Sequence, residues 1–342
     1  MTPRDIVLKI AAQKETFTIQ DVLKSMKNKY TRAYVGRFIR QLLDEGVLVK
    51  SGSTRSATYA LASKAKKLPS FYERRYKNVD LSDFSLWQDC EKSLPFIRKL
   101  PEHIHSILVY AFTEMANNAI DHSQSKNIVS KFQKEGHLIR FIIEDSGVGV
   151  FRNVMKDRKL NSELEAIQDL LKGKVTTMPH AHSGEGIFFT SKAADVFTLD
   201  SYGYQLRVDN LINDVFISET SFIKRGTRVT FEIDDRHEGH LDEVFRAYYT
   251  DPEDFAFDKT EILLKLYSMG SIYVSRSQAK RVLSGLEKFK TIILDFDKVP
   301  GVGQAFCDEI FRVFASNHPG ITFKPINMNE SVRFMVARVE KP

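Results

Sequence analysis

The sequence predicts a multidomain α/β (α+β) chain built from three units. Three observations lead there. At 342 residues the chain is long enough for two or three domains, each with its own core. Its charge is divided: residues 1–80 hold 17 Lys and Arg against 7 Asp and Glu, a balance of +10, while the remainder holds 33 against 37, a balance of −4. Two broken, charged stretches also interrupt the pattern, "KAKKLPSFYERRYKNVD" at 64–80 and "DPEDFAFD" at 251–258. The expected units are therefore residues 1–63, 81–235 and 252–342, with 64–80 as a basic linker.

Composition narrows the class. Hydrophobic residues make up 42%, ordinary for a globular chain, and no apolar run approaches the length of a bilayer span. "MTPRDIVLKI" carries charges where a secretory leader needs an apolar stretch. Cys90 and Cys307 are the only cysteines, without metal-site spacing or a disulfide framework. A reduced, cytoplasmic protein that does not enter a membrane is the expectation.

In the first unit, "PRDIVLKIAAQ" has apolar residues at helical spacing. "FTIQDVLKSM" starts a second helix with Thr18 as cap, and "TRAYVGRFIRQLLDEG" a third, with Thr31 as cap and Gly46 as stop. "VLVKSGSTRSATYALA" alternates into two strands around "SGSTRS". Three helices and a basic-tipped hairpin are the order of a winged helix-turn-helix, whose third helix enters the major groove while the wing meets the backbone. Arg32, Arg37, Arg40, Lys50 and Arg55 are the candidates to face phosphates or bases. The basic balance fits a nucleic-acid surface. The same fold also serves as a protein-interaction module.

In the second unit a helical stretch over 81–98 contains Trp87, and Pro101 opens the next helix. That helix holds "TEMANNAIDHS" at 113–123. On a helical wheel Asn118 and Asp121 fall within about 40° of Glu114, beside an apolar face of Ile104, Leu108, Ala111, Met115 and Ala119. A packed helix has no need of such a polar stripe. "HLIRFIIEDSGVGV" then alternates into a strand ending at Asp145, followed by Gly147 and Gly149, which allow a sharp turn and close approach of a ligand. "HAHSGEGIFF" sets Gly184 and Gly186 at a helix start, where free N–H groups favour an anion. "KRGTRVTFEI" leads from Gly226 and Thr227 into another strand.

With these four pieces in this order, residues about 80–235 resemble the GHKL ATPase domain, the fold of gyrase, Hsp90, histidine kinase and MutL ATP sites and of anti-sigma serine kinases. The resemblance implies an α/β sandwich with a mixed sheet and helices on one face. It implies that Asn118 holds Mg²⁺, that Glu114 is the general base, and that Asp145 accepts from the adenine amino group while Gly147 and Gly149 let the base pack close. It further implies that Ser183, Gly184 and Gly186 cradle the phosphates and that Thr227 supports adenine recognition. ATP and Mg²⁺ are thus the expected cofactors. Residues 151–183 would form a lid, from which Lys172 and Lys174 either reach phosphate or remain surface lysines. No segment resembles a phosphoacceptor helix, so autophosphorylation on histidine is not expected. Asp121 and His122 leave the subfamily open.

The third unit alternates strands and helices: "TIILDF" is a buried central strand, "GQAFCDEIFRVFA" an amphipathic helix and "ITFKPIN" a further strand. It resembles the STAS-like domain of anti-sigma-factor antagonists, "SRSQAKRVL" being similar to the version fused to GHKL domains. In antagonists the loop after the central strand carries a phosphorylated serine. Here Gln304 and Ala305 stand there, and Ser275 or Ser277 are weak substitutes. An interaction or dimerisation role is expected, with Lys280, Arg281 and Asp295 solvated or structural. The whole reads as an ATP-responsive regulator that binds DNA through residues 1–63 and a protein partner, or itself, through the STAS-like unit. The alternatives are a serine/threonine kinase of the anti-sigma type, a slow ATPase, or an interaction scaffold without DNA binding.

Overall fold

The structure, a computed structural model, describes all residues except 1, 28, 52–56, 68–70, 175–184, 222, 252, 254–255, 268–272 and 341–342. Arg55, Ser183 and Gly184 therefore lie outside the described residues.

The N-terminal unit runs α1 (Pro3–Gln13), β1 (Phe17–Thr18), α2 (Ile19–Ser25), α3 (Arg32–Asp44), β2 (Leu48–Ser51) and β3 (Thr58–Leu61). Thr2, Thr18 and Thr31 each accept the N–H of the third helical residue, so every helix begins on a satisfied cap. Gly46, at φ +71°, closes α3. The sheet order is β1-β3-β2, and Val7, Phe17, Val22, Val35, Ile39 and Leu42 fill the core. Strand β1 has no counterpart in the sequence reading, because two residues are too few to leave an alternating pattern.

The central unit begins earlier than the charge pattern suggests. Phe71–Lys77, expected in the linker, forms β4, an edge strand paired along its length with β5. Tyr72 and Tyr76 are buried, and the charges between them are exposed, Arg74 lying over the Tyr76 ring and pairing with Asp89 of the next helix. Then follow α4 (Asp83–Ser93), α5 (Glu102–Asn117) with a π-helical turn (Asn118–His122), β5 (Asn127–Glu135), β6 (Leu138–Asp145), α6 (Val150–Asp157), α7 (Glu163–Lys172), α8 (Gly186–Ala193), β7 (Val196–Ser201), β8 (Tyr204–Asp209), β9 (Asp214–Glu219), β10 (Thr227–Asp234) and α9 (Leu241–Arg246).

Seven strands make one sheet in the order β4-β5-β6-β10-β7-β8-β9. The expected mixed sheet is corrected: every pair is antiparallel. The reason is connection length. Hairpins join β5 to β6, β7 to β8 and β8 to β9, and β10 returns between β6 and β7, which would otherwise lie parallel. Burial alternates strictly along β6, so one face carries the core, and Trp87, Leu108, Phe112 and Met115 of α4 and α5 pack there with Phe132, Phe141 and Phe231.

The C-terminal unit comprises β11 (Lys259–Leu263), α10 (Arg276–Leu283), β12 (Thr291–Asp295), α11 (Gln304–Cys307) with a π-helical continuation (Asp308–Phe314), α12 (Ala315–Asn317), β13 (Thr322–Ile326) and α13 (Glu330–Glu340). Its three strands are parallel, with the apolar β12 in the middle. Phe188 and Phe189 of α8 belong to this unit's core. Among the described residues no helix is long and apolar enough to cross a membrane.

Candidate functional site

Glu114 and Asn118 stand one turn apart where α5 ends, both partly buried. At Asn118 the helix widens into its π turn, which often marks a functional position. The wider turn also rotates the residues beyond it. Asp121, expected on the same stripe, is exposed, because the wheel assumes an unbroken α-helical repeat. Past the turn the chain is sewn to the loop after β6. Ser123 Oγ donates to the Ala119 carbonyl at 2.5 Å, the Ser123 carbonyl accepts from the Val148 amide at 2.8 Å, and Ser125 Oγ accepts from the Ser146 amide at 3.1 Å.

That stitching explains the glycines. A β-carbon on Gly147 would stand 1.7 Å from the Ser123 carbonyl oxygen. At Gly149, φ is +82° and the space a side chain would take is filled by the Tyr202 ring and Ser201 Oγ. At Gly226 a β-carbon would meet Asp145 Oδ1 at 2.5 Å. Three glycines thus let three chain segments close around one carboxylate.

The carboxylate is Asp145, 4% exposed at the end of β6. Its Oδ1 accepts from the Gly147 amide at 2.8 Å, and Thr227 also bonds to it. Burial raises its pKa above the ordinary carboxylate range, although the Gly147 and Thr227 bonds and nearby Lys224 pull the other way. Thr227 Oγ1 in turn accepts from the Val150 amide at 3.0 Å, which ties β10 to the start of α6.

Across from this group, α8 begins at Gly186. A β-carbon there would lie 2.1 Å from Glu114 Oε2, so the carboxylate presses against the first residue of the helix. Asn118 Nδ2 is buried and has no hydrogen-bond partner among the described residues. Such an orphan amide is unusual, and ligands are one way of satisfying it. The fold therefore sets Glu114 against Gly186 and gathers Gly147, Gly226 and Thr227 around Asp145, and the end of α5 that carries Asn118 joins the two groups through Ser123.

Three side chains at this locus give no signal in the sequence. Tyr202 donates from its hydroxyl to the Gly147 carbonyl at 2.9 Å and is covered by the Arg152 guanidinium at 3.6 Å. Lys224 Nζ donates to the carbonyls of Asp145, at 2.5 Å, and Arg225, at 2.7 Å. The "SYG" turn hints at Tyr202 only as a hairpin residue.

Of the two lysines expected at phosphate or at the surface, Lys172 does neither, while Lys174 stays partly exposed. Lys172 is 4% exposed and donates to the Ser284 carbonyl, while Lys174 donates to the Lys288 carbonyl at 3.4 Å. Burial wins at Lys172 because the C-terminal unit covers it. In the N-terminal unit Arg32, Arg37 and Arg40 are exposed along α3 and Lys50 is partly exposed on β2. Tyr30 and Tyr34 stack there at 5.2 Å. In the C-terminal unit Gln304 and Ala305 are exposed, and Ser275 caps α10. Arg281 donates to the Tyr267 carbonyl at 2.7 Å, and Asp295 accepts from Asn327 Nδ2 at 3.0 Å, so both are structural.

Residues 278–333 match the STAS-like domain of unknown function (DUF4325). The STAS-like reading of the C-terminal unit stands on that match. No curated protein and no solved structure matches the chain.

Proposed function

We propose that this chain is a cytoplasmic, ATP-binding regulator, in which a GHKL-type central unit binds Mg·ATP, a winged helix over residues 1–63 binds DNA and the STAS-like unit supplies a protein contact. The observation that carries the nucleotide reading is the convergence of four sequence-distant segments on Asp145, Asn118 and the start of α8. Asp145 is a buried acceptor suited to an exocyclic amine, and adenine has one where guanine has a carbonyl. The glycines let the chain segments around it approach closely enough to hold it. Asn118 offers a hard amide oxygen, the kind of donor Mg²⁺ takes, and its unpartnered Nδ2 is a donor that a phosphate oxygen can satisfy. Bound there, the metal would supply positive charge to phosphate oxygens. The α8 N-terminus offers N–H groups to the same anion.

The DNA reading is supported by the exposed arginines of α3 on the +10 segment. A second reading, phosphoryl transfer to a partner's hydroxyl or to water, is favoured by one observation: Glu114 stands beside the proposed phosphate site, where a general base belongs.

Calorimetry with Mg·ATP on the wild type, Asp145→Asn and Asn118→Ala tests the nucleotide reading, with released phosphate assayed in the same samples. Binding in the wild type and its loss in both variants is the expected result. An unliganded wild type sinks the reading. Phosphate release, abolished by Glu114→Gln, would favour the enzyme over the sensor.

A further inference from the structure

Helix α7 ends in a lysine buried against another unit. Lys172 Nζ donates to the Ser284 carbonyl at 2.7 Å and the Arg281 carbonyl at 3.3 Å. Both carbonyls lie at the C-terminal end of α10, where no further helical N–H is available and a cation meets the negative end of the dipole. Asp169, on the turn before, lies 3.5 Å from the ammonium and accepts from Arg158 at 3.0 Å. The backbone is held as well: Thr260 of β11 donates from its buried hydroxyl to the Lys172 carbonyl at 2.7 Å. Further along, Phe188 and Phe189 place their ring centroids 4.9 and 4.8 Å from Phe257.

The short helix α8 thus has two attachments. Its first residue, Gly186, touches Glu114, and Phe188 and Phe189, completing the same turn, are embedded in the core of the C-terminal unit. We infer that the STAS-like unit is an intramolecular clamp on α7 and α8, and that its docking opposes nucleotide entry between Glu114 and Gly186. This rests on the nucleotide reading above. Glu114 presses against Gly186, the residue that opens the helix whose N-terminus that reading offers to phosphate, so entry requires the first turn of α8 to draw back. Phe188 and Phe189 cannot follow without leaving their aromatic packing, because a close-packed core does not deform continuously. Docking and binding are then coupled, and each weakens the other by the same factor. The surface of the STAS-like unit around α10 and β11 has the chain's own central unit as its partner.

The test uses the full-length chain, Lys172→Met and the near-isosteric Thr260→Val. Hydrogen exchange without nucleotide should quicken about tenfold across 259–263 and 279–289 in Lys172→Met, since local opening is what exchange reports. Unchanged exchange overturns the clamp. With Mg·ATP, the variant should bind about fivefold or more tightly than wild type, the lower end of ordinary coupling. Equal or weaker binding alongside faster exchange overturns the opposition. A wild type that binds no ATP removes the nucleotide reading and with it this regulation, while the exchange result still decides the docking. Should Lys172→Met fail to fold by near-ultraviolet circular dichroism, Thr260→Val is judged by the same two criteria, with shifts in the same directions.

Discussion

Asp145 is a group that the fold stabilises poorly in its charged form. Burial raises its pKa, and the bonds from Gly147 and Thr227 offset only part of that. A carboxylate with a raised folded pKa adds stability below its unfolded value, and that contribution is lost as pH rises through the folded value. At neutral pH the charge therefore costs stability, which is common where a ligand is to be met. Asp145→Asn is expected to hold or raise Tm, by up to about 3 °C, while Mg·ATP binding falls more than tenfold. A substantial loss of Tm in that variant would make the residue structural instead. Gly147→Ala has the opposite profile. Its new methyl would collide with the Ser123 carbonyl, and a loss of about 3 kcal/mol in urea unfolding is expected. Tyr202→Phe removes only the bond to the Gly147 carbonyl, a loss of about 1 kcal/mol by the same measurement.

At the scale of elements, α3 and the segment after β10 make separate claims. Arg37 and Arg40 are exposed on α3, as a phosphate-facing helix requires. If that helix meets DNA, replacing either by Ala should weaken binding to all sequences alike and lower the salt slope by about 1, measured by fluorescence anisotropy across salt. A slope that does not move would take α3 off the DNA. After β10, His237 Nδ1 bonds to Asp195 at 2.8 Å, and that bond raises the imidazole pKa above its ordinary 6.5 against the effect of burial. Its contribution to stability is therefore full below pH 6.5 and is lost as pH rises through the raised value. The Tm gap between wild type and His237→Gln should be wider at acidic than at alkaline pH, and a gap independent of pH would remove the ion pair from the account.

For the whole molecule, the decisive feature is how the C-terminal unit sits on the sheet. Beyond Lys172 and the aromatic cluster, Asp214 at the start of β9 pairs with Lys265 and Lys298 of that unit. Burial pushes Asp214 up, but the two lysines outweigh it and hold its pKa at about 2. A carboxylate lowered in this way contributes stability above its unfolded value of 3.8, and loses it as pH falls toward about 2. Small-angle scattering should show the radius of gyration rising within that window. In Asp214→Asn the rise should begin at higher pH, because the lysine contacts are weakened from the outset. A variant indistinguishable from wild type would leave docking to the apolar contacts alone.

What the sequence by itself determined is local. Thr18 and Thr31 announced their helices, Gly46 its stop and "TIILDF" its central strand, because capping, chirality and burial pattern act over a few residues. The candidate groups were legible for the same reason: glycines after a strand and a polar stripe on an apolar helix are short-range irregularities. Tertiary structure decided the rest. Only folding could press Glu114 against Gly186, lay Tyr202 on the Gly147 loop and leave Asn118 Nδ2 without a partner among the described residues. Phe71–Lys77 read as a charged linker because this edge strand buries only Tyr72 and Tyr76, with exposed charges between them and no alternating pattern. Lys172 read as a surface lysine because nothing near it in the chain reveals the end of α10. A side chain's partner across a domain boundary depends on which surfaces the two cores leave to be covered, and that is a property of the packed molecule, not of neighbouring residues.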